Sequence, residues 1–303
     1  MEAKAILLPN KTLATTGLLR SKLMDYNQLV KLRLSFLVVF SSVITYLTAA
    51  HGTINWSEVV MLSLGGFLVT GAANGINQVI EKDFDKLMLR TANRPVATGR
   101  MRVSEAIVAC LTMGISGVLL IGFFLNPLCG WISFAALMSY AFVYTPLKRV
   151  SPVSVFVGAF PGALPAMLGW VAFTGKMDMA ALLLFGVQFF WQFPHFWSIA
   201  WILDEDYKRA GFKMLPSSPG RDKATALQTL AFSLVLIPVG MLPAQYGICG
   251  STSGWIAASG GLMLSYLSYK LVKSCENKDA KRLMFASFIY LPIVQLAYLF
   301  NKI

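Results

Sequence analysis

The sequence predicts an all-helical membrane protein with nine transmembrane spans, and two observations carry this prediction. First, 56% of the 303 residues are hydrophobic and only 13% are charged, whereas a soluble domain has roughly 25% charged residues. Second, the apolar residues gather in runs of about 20, the length at which a helix crosses a bilayer. These runs do not alternate with polar residues as the strands of a membrane barrel do. A soluble globular protein, a disordered chain and a disulfide scaffold are therefore excluded.

Nine apolar runs are long enough to be spans, and no charged residue interrupts any of them near its centre. The connections between them are too short to hold a second folded domain. We therefore predict a single nine-span domain over 34–303, preceded by a cytoplasmic segment, 1–33. The predicted spans are 34–50, 59–79, 104–125, 128–145, 152–174, 179–203, 225–245, 252–272 and 283–301.

The basic residues predict the orientation of the chain. Of the 26 Lys and Arg residues, 24 fall in the N-terminal segment, in the connections after the second, fourth, sixth and eighth spans or, for Lys270, at the end of the eighth span next to its connection. Only Lys176 and Lys302 fall on the other side. Because cytoplasmic loops are enriched in Lys and Arg, we expect a cytoplasmic N-terminus and an external C-terminus. The net charge of +12 then reflects topology, and no nucleic-acid partner is expected.

Small residues predict two close contacts between helices. Gly71 and Gly75 form a GxxxG pattern in the second span, and Gly158 and Gly162 form another in the fifth. Residues without bulky side chains allow neighbouring helix backbones to approach each other in a membrane. Packing alone explains both patterns without any functional role.

The first group of candidate site residues follows the second span. Asn77, Glu81 and Asp85 are spaced four residues apart, so on a continuing helix their side chains share one face. One carboxamide and two carboxylates are hard oxygen ligands of the kind that Mg²⁺ takes, often together with substrate phosphates. The alternative is a solvated helix end with ion pairs to nearby lysines. This spacing is short and unspecific by itself.

Two arginines after this group extend the pattern. Arg90 and Arg94 are also four residues apart, and guanidinium groups match the oxygens of phosphates and carboxylates. Carboxylates for a metal followed by arginines predict a diphosphate site. Metal and guanidinium charge would then stabilise the charge that develops on a phosphoryl leaving group.

A second acidic group follows the sixth span in the segment DEDYKRAG, 204–211. Asp204 and Asp206 are candidate metal ligands, and Lys208 is a candidate diphosphate ligand. Both acidic groups follow even-numbered spans and therefore lie at the same membrane face. If the two spans are neighbours, both groups can approach one diphosphate. The alternative is a solvated run of charges.

Three further residues are candidates on weaker grounds. His195 lies in the aromatic segment WQFPHFW, 191–197, and could bind haem iron, contact a polar edge of a substrate or cap backbone freed by Pro194. Lys148 and Arg149 close the connection after the fourth span and could reach the same site or act as topology charges only.

Taken together, these segments resemble the UbiA superfamily of intramembrane prenyltransferases. NQVIEKDFD resembles its NxxxDxxxD motif, and the NRP after the arginines, WQFPHF and DYKRAGFKMLP are similar to the branch that farnesylates haem. The likeness runs from about residue 25 to the C-terminus. It implies nine helices around a central cavity, open to the cytoplasm and to lipid. It also implies farnesyl transfer from farnesyl diphosphate to a vinyl group of haem B, with Mg²⁺, and haem A synthase as a further partner.

The resemblance also implies residue roles. Asn77, Glu81 and Asp85 match the first metal motif, although Glu81 stands where Asp is more common. Arg90, Arg94, Lys148 and Arg149 match the basic positions, and Asp206 matches the acidic position of the second motif. The full second DxxxD motif is not present, because Lys208 stands four residues after Asp204.

Three other functions agree less well with these features. A UbiA relative with another aromatic acceptor is disfavoured by the WQFPHF and DYKRAG segments. A transporter is disfavoured because the acidic residues lie at the rim, with none at the membrane midplane. A non-enzymatic oxidase assembly factor would need no Mg²⁺ site. We expect a multi-pass protein of a bacterial inner membrane, with the mitochondrial inner membrane as the alternative.

Overall fold

The fold is a bundle of long helices. The computed structural model describes residues 11–303, with side chains from Arg20 onward, and contains no β-strand in that range. The helices are α1 (Lys11–Leu29), α2 (Leu32–Ala49), α3 (Trp56–Ile80), α4 (Lys82–Asp85), α5 (Val103–Phe124), α6 (Pro127–Met138), a π-helical segment (Ser139–Tyr144), α7 (Thr145–Leu147), α8 (Ser154–Thr174), α9 (Met179–Ile202), α10 (Asp204–Arg209), α11 (Lys223–Gln245), α12 (Ser251–Ser274) and α13 (Asn277–Phe300).

Each predicted span coincides with a helix, and α6, the π-helical segment and α7 together form the fourth. Within the described residues, eight helices are long and apolar enough to cross a membrane, so the protein is a multi-pass membrane protein. The helix at the eighth predicted span, α12, has 24 residues but includes six serines and two lysines. Its apolar character is therefore weaker, and the count of nine spans stays a prediction, as does the central cavity.

The predicted N-terminal segment, 1–33, falls partly outside the described residues, which begin at Lys11. Its described part is mostly the helix α1, which packs against α2 and α3. The sequence contains no long apolar run at α1, because charged and polar residues recur throughout this helix. Its attachment to the bundle comes from α3, where Gln78 donates hydrogen bonds to the carbonyl groups of Gln28 and Leu29 at 2.9 Å each.

The long helices pack mainly against their neighbours in the chain. The helix α13 also contacts α2 and α9, and α2 packs against α8. Of the apolar helices, α8 is the most buried, because it packs against α2, α6 and α9. It continues through Pro161 and Pro165, and two glutamines of α9 donate to its carbonyl groups. Gln188 bonds the Gly162 carbonyl and Gln192 the Ala159 carbonyl, each at 2.8 Å.

Both predicted GxxxG patterns occur at close helix contacts. A Cβ atom on Gly75 would collide with Cys110 of α5, and one on Gly162 would collide with the Gln192 side chain. At Gly158 a Cβ would lie 2.6 Å from the ring of Tyr144. The small residues therefore allow the approach of specific side chains from neighbouring helices.

Three connections meet at one end of the bundle, which we call the charged end: 81–102, 145–153 and 203–222. The backbone N–H of Leu89 donates to Asp206 at 3.1 Å, which joins the first connection to the third. The N–H of Lys213 donates to the Lys148 carbonyl at 2.7 Å, which joins the third to the second. The prediction that the two acidic groups lie at the same end of the bundle is thus confirmed. The helices that precede them, α3 and α9, both contact α8, which packs between them.

Candidate active site

The first acidic motif forms one buried group at the charged end. The Glu81 N–H donates to the Asn77 carbonyl at 2.9 Å, and the Asp85 N–H donates to the Glu81 carbonyl at 2.8 Å. Helical hydrogen bonding therefore continues from α3 into α4, as the four-residue spacing predicts. Relative exposure is 2% for Asn77, 4% for Glu81 and 0% for Asp85. A solvated helix end is excluded by this burial.

The carboxylate of Asp85 is held by Arg94. Nη1 of Arg94 lies 2.8 Å from both carboxylate oxygens, and the hydroxyl of Thr91 donates to the Asp85 carbonyl at 3.0 Å. Burial raises the pKa of Asp85, and Arg94 opposes this shift. The arginine predicted to bind diphosphate thus neutralises a predicted metal ligand in this structure.

The carboxylate of Glu81 is held by Lys148, which comes from the connection after α7. The two side chains form a buried ion pair. The ammonium group of Lys148 also lies 5.0 Å from the ring centre of Tyr144 and 5.4 Å from that of Phe212. Burial lowers the pKa of Lys148, and Glu81 partly restores it. The structure therefore brings Lys148 to the acidic motif.

The π-helical segment places two tyrosines beside this group, and the first residue of α7 adds a threonine. The rings of Tyr140 and Tyr144 lie 5.3 Å apart. The hydroxyl of Thr145 accepts a hydrogen bond from Asn77 Nδ2 at 3.2 Å and donates one to the Tyr140 carbonyl at 2.9 Å. Segments of π-helix are frequent at functional sites. Neither Tyr140 nor Thr145 was identified from the sequence.

A lysine from the turn between α1 and α2 completes the group. Nζ of Lys31 lies 3.5 Å from Asn77 Oδ1. Burial lowers the pKa of Lys31 well below its usual range, and the nearby Arg94 and Lys148 lower it further. From the sequence, Lys31 is expected to be a topology charge only, and no motif around it indicates a different role.

The second acidic group makes contacts within the protein. Asp206 accepts hydrogen bonds from the backbone N–H groups of Leu89 at 3.1 Å and Arg90 at 3.2 Å, and from Arg209 at 3.0 Å. It therefore fastens the connection after α4 to α10. The guanidinium of Arg90 is exposed beside Tyr207, whose pKa is raised by burial and lowered by Arg90.

Asp204 lies buried in a separate charge network. Its carboxylate pairs with Lys208 at 2.8 Å and Arg221 at 3.3 Å, and the Lys208 side chain is 52% exposed. The structure does not bring Asp204 or Lys208 into contact with the first motif. Arg149 also stays outside, since its guanidinium carbon lies 4.0 Å from the ring centre of Phe84 at the surface.

His195 is buried within α9, away from the charged group. Its Nδ1 lies 2.9 Å from the hydroxyl of Ser287 in α13, and Trp191 stacks on its ring at 4.4 Å. The Ser287 hydroxyl donates its own hydrogen to the Met284 carbonyl at 2.7 Å. Nδ1 of His195 is therefore the protonated nitrogen, and Nε2 carries the lone pair.

The charges of the group suit an anionic ligand. Four basic side chains, Lys31, Arg90, Arg94 and Lys148, act on each other and on only two carboxylates. A surface cavity of about 460 Å³ nearby is lined by Arg20 and Arg100, and Arg100 is paired there with Asp25 at 2.9 Å. The larger excess of basic over acidic side chains, and the buried one, therefore lies at the first motif.

The donor set of the motif fits Mg²⁺. Among the described residues no three His, Cys, Asp or Glu side chains stand together as a ligand set. Mg²⁺ does not require such a set, since it commonly binds one or two carboxylates and fills its shell with waters and substrate phosphates. Glu81 and Asp85 provide the carboxylates, and Asn77 provides a carboxamide oxygen.

The fold and this group define a multi-pass, all-helical membrane protein with a buried cluster of carboxylate, carboxamide and basic side chains at one end of the bundle. Residues 37–290 match the model of the UbiA prenyltransferase family. The chain belongs to the UbiA prenyltransferase family.

Relatives and solved structures agree with this membership. The chain is 46% identical over 285 residues to a protoheme IX farnesyltransferase of Cytophaga hutchinsonii, covering 93% of this chain and 99% of the relative. Its fold is similar to that in a structural study of digeranylgeranylglyceryl phosphate synthase, with a TM-score of 0.77, 20% identity and coverage of 93% and 98%. It also resembles a UbiA homologue from Archaeoglobus fulgidus bound to GPP and Mg²⁺, with a TM-score of 0.67, 15% identity and coverage of 90% and 99%.

Proposed function

We propose that this protein transfers a farnesyl group from farnesyl diphosphate to a vinyl group of haem B, forming haem O. The observation that carries the proposal is the buried group of two carboxylates, one carboxamide and four basic side chains, in a chain 46% identical to a protoheme IX farnesyltransferase. Haem O would then serve haem A synthesis for a terminal oxidase. Residues 34–303 would form one catalytic domain in a bacterial inner membrane, with the charged end in the cytoplasm.

The residues of the first motif would bind the diphosphate end of the prenyl donor. Asn77, Glu81 and Asp85 would hold Mg²⁺, which when bound supplies charge for the leaving diphosphate. Arg94 and Lys148 would transfer part of their interaction from the carboxylates to phosphate oxygens. Because both cations already lie at the motif, neither has to be brought there from solvent when the donor binds.

The apolar interior would protect the reaction from water. The C–O bond of the allylic diphosphate breaks, and the diphosphate leaves with the electron pair. The vinyl group attacks the allylic carbon, water adds to the resulting cation as a hydroxyl group, and a proton is lost. The face of Tyr144 lies beside the charged group and suits stabilisation of positive charge. Phe193 and Trp197 pack within an aromatic cluster of the core, with ring centres 5.3 Å apart.

The haem would occupy the membrane side of the charged group. His195 supports this, because its Nδ1–H is engaged by Ser287 and Nε2 keeps the lone pair that a metal ligand needs. Asp206 would act as a positioning residue for the loop that carries Arg90. Asp204, Lys208 and Arg149 have protein partners and are left outside this proposed mechanism.

Product analysis tests the proposal. The chain is expressed in a host that lacks haem O and haem A. The extracted haems are separated by chromatography, and their masses are measured by mass spectrometry. We expect a new haem, heavier than haem B by a farnesyl group and a hydroxyl group. Asp85→Asn should lower its formation by about 100-fold or more, since even outer-shell partners of a metal contribute 10- to 100-fold. Asp83→Asn is the matched control, because Asp83 is 63% exposed and pairs only with Lys86.

Two outcomes would contradict the proposal. Haem B alone, in membranes that contain the folded protein, would indicate another aromatic acceptor or a non-enzymatic role. Full haem O formation by Asp85→Asn would remove Asp85 from the site.

A further inference from the structure

The turn between α1 and α2 has an unusual backbone at Lys31. Its φ is 48° and its ψ 61°, a left-handed conformation that side-chain-bearing residues rarely adopt. Of the described non-glycine residues, only Cys275 shares a positive φ. A turn with no specific purpose would be expected to place glycine or asparagine here.

The backbone of this turn is fixed to α3. Nε2 of the fully buried Gln78 bonds the carbonyl groups of Gln28 and Leu29. Nδ2 of Asn74 bonds the next carbonyl, that of Val30, at 3.3 Å. These two residues flank Asn77 on the same helix. The position of Lys31 is therefore tied directly to the first residue of the metal motif.

The ammonium group of Lys31 points into the charged group without a carboxylate of its own. It lies 3.5 Å from Asn77 Oδ1, and no Asp or Glu among the described side chains forms an ion pair with it. Lys148 is paired with Glu81 and Arg94 with Asp85. Arg90 also lacks such a pair, but its side chain is exposed, whereas Lys31 is mostly buried. A mostly buried ammonium group needs an anionic partner to offset its desolvation.

We propose that Lys31 binds an oxygen of the prenyl diphosphate, and that the turn clamped by Gln78 and Asn74 directs its amine there. This inference rests on the proposed function. Lys31 approaches from the α1–α2 turn, Lys148 from the connection after α7 and Arg94 from the loop after α4. The anion would thus be bound from three separate elements. A carboxylate of the haem acceptor has the same chemistry, but contact with Asn77 favours the diphosphate.

Binding measurements on the full chain in lipid nanodiscs test this role. The probe is the non-hydrolysable thiodiphosphate analogue of farnesyl diphosphate with Mg²⁺, measured by calorimetry, and haem affinity is measured in parallel by absorbance. We expect Lys31→Met to weaken analogue binding by about 10- to 100-fold, the range for hydrogen bonds to charged groups. Lys31→Arg should retain most of the affinity, and haem affinity should stay unchanged in both variants.

Lys86→Met is the matched control, because it removes the same charge from an exposed lysine of the charged end. Its analogue affinity should equal that of the unaltered chain. If Lys31→Met does not fold, as judged by thermal unfolding and haem binding, Lys31→Gly replaces it, since glycine suits the left-handed turn.

The outcomes separate this inference from the proposed function. Unchanged analogue binding by the Lys31 variant would overturn the inference alone. Loss of haem binding with analogue binding retained would also overturn it, and would assign Lys31 to an acceptor carboxylate. Failure of the unaltered chain to bind the analogue would overturn the proposed function and this inference together.

Discussion

At the scale of single residues, every carboxylate of the first motif is buried together with a cation. Asp85 pairs with Arg94, and Glu81 pairs with Lys148. An unpaired buried charge would be strongly destabilising, so each acid requires its partner before any ligand is bound. Glu81 has a longer side chain than Asp, and its carboxylate is paired with the ammonium group of Lys148. Stability and ligand binding thus depend on the same side chains.

His195 gives a residue-scale prediction about the haem. His195→Ala should weaken haem binding by about 10-fold or more, and Ser287→Ala should weaken it to a smaller extent, because its hydroxyl fixes the tautomer of the imidazole. The measurement is an absorbance titration of haem into the purified protein.

The other histidine provides the control. His51 is exposed between α2 and α3, so His51→Ala should leave the titration unchanged. Equal haem affinity of His195→Ala and the unaltered chain would exclude a direct bond between His195 and haem.

At the scale of elements, the π-helical segment brings Tyr140 and Tyr144 to the site, and Thr145 follows directly as the first residue of α7. A regular α-helix turns by about 100° per residue, and the wider π turn changes which side chains share a face. Room for Tyr144 comes from Gly158 of α8, which has no side chain at the point of contact. The GxxxG pattern in α8 therefore has a consequence for the site as well as for packing.

Gly158→Ala tests this contact. The added Cβ would lie 2.6 Å from the Tyr144 ring, so the ring must shift from its present position beside Lys148. We expect product formation to fall by about 10- to 100-fold, since small displacements at a site have effects of this size. The measurement is the rate of haem O formation in membranes that contain equal amounts of protein.

Gly186→Ala is the matched control for this variant. A Cβ at Gly186 meets no atom within 4 Å, so the rate should not change. A Gly158→Ala enzyme with the rate of the unaltered chain would show that the position of Tyr144 is unimportant for the reaction.

At the scale of the whole molecule, polar chemistry is concentrated at one end of an apolar bundle. The connections after α3, α7 and α9 are joined there by Asp206, by the backbone of Lys213 and by the contact between Phe84 and Phe212, whose ring centres lie 6.1 Å apart. At the other end the ammonium of Lys302 caps the carbonyl of Leu47 at 2.7 Å. A donor with a long apolar chain and an anionic head matches this division.

The orientation of the molecule is tested by labelling with a membrane-impermeant maleimide. In a Cys275→Ser background, Lys86→Cys should be labelled only after the cells are permeabilised, because the charged end is predicted to be cytoplasmic. Lys176→Cys, at the opposite end, should be labelled in intact cells. The remaining cysteines are buried and provide little background. The reverse pattern of labelling would invert the predicted topology.

The sequence by itself determined the positions of the spans, because hydropathy is a local property summed over about 20 residues. Seven of the eight apolar helices of the described chain begin and end within three residues of their predicted spans. The eighth, α13, begins six residues earlier than predicted, because the polar residues of its first turns carry no hydropathy signal. The four-residue spacing of Asn77, Glu81 and Asp85 is equally local, and it correctly predicts their helical continuity.

Only the tertiary structure decided which groups meet. Lys31 reaches Asn77 across 46 positions of sequence, and Asp206 reaches Leu89 across 117. Neither contact leaves a pattern in the spacing of residues, since both depend on how α1 and α10 pack against the bundle. Such long-range partnerships arise because buried charges and backbone groups must be paired wherever the fold brings them together.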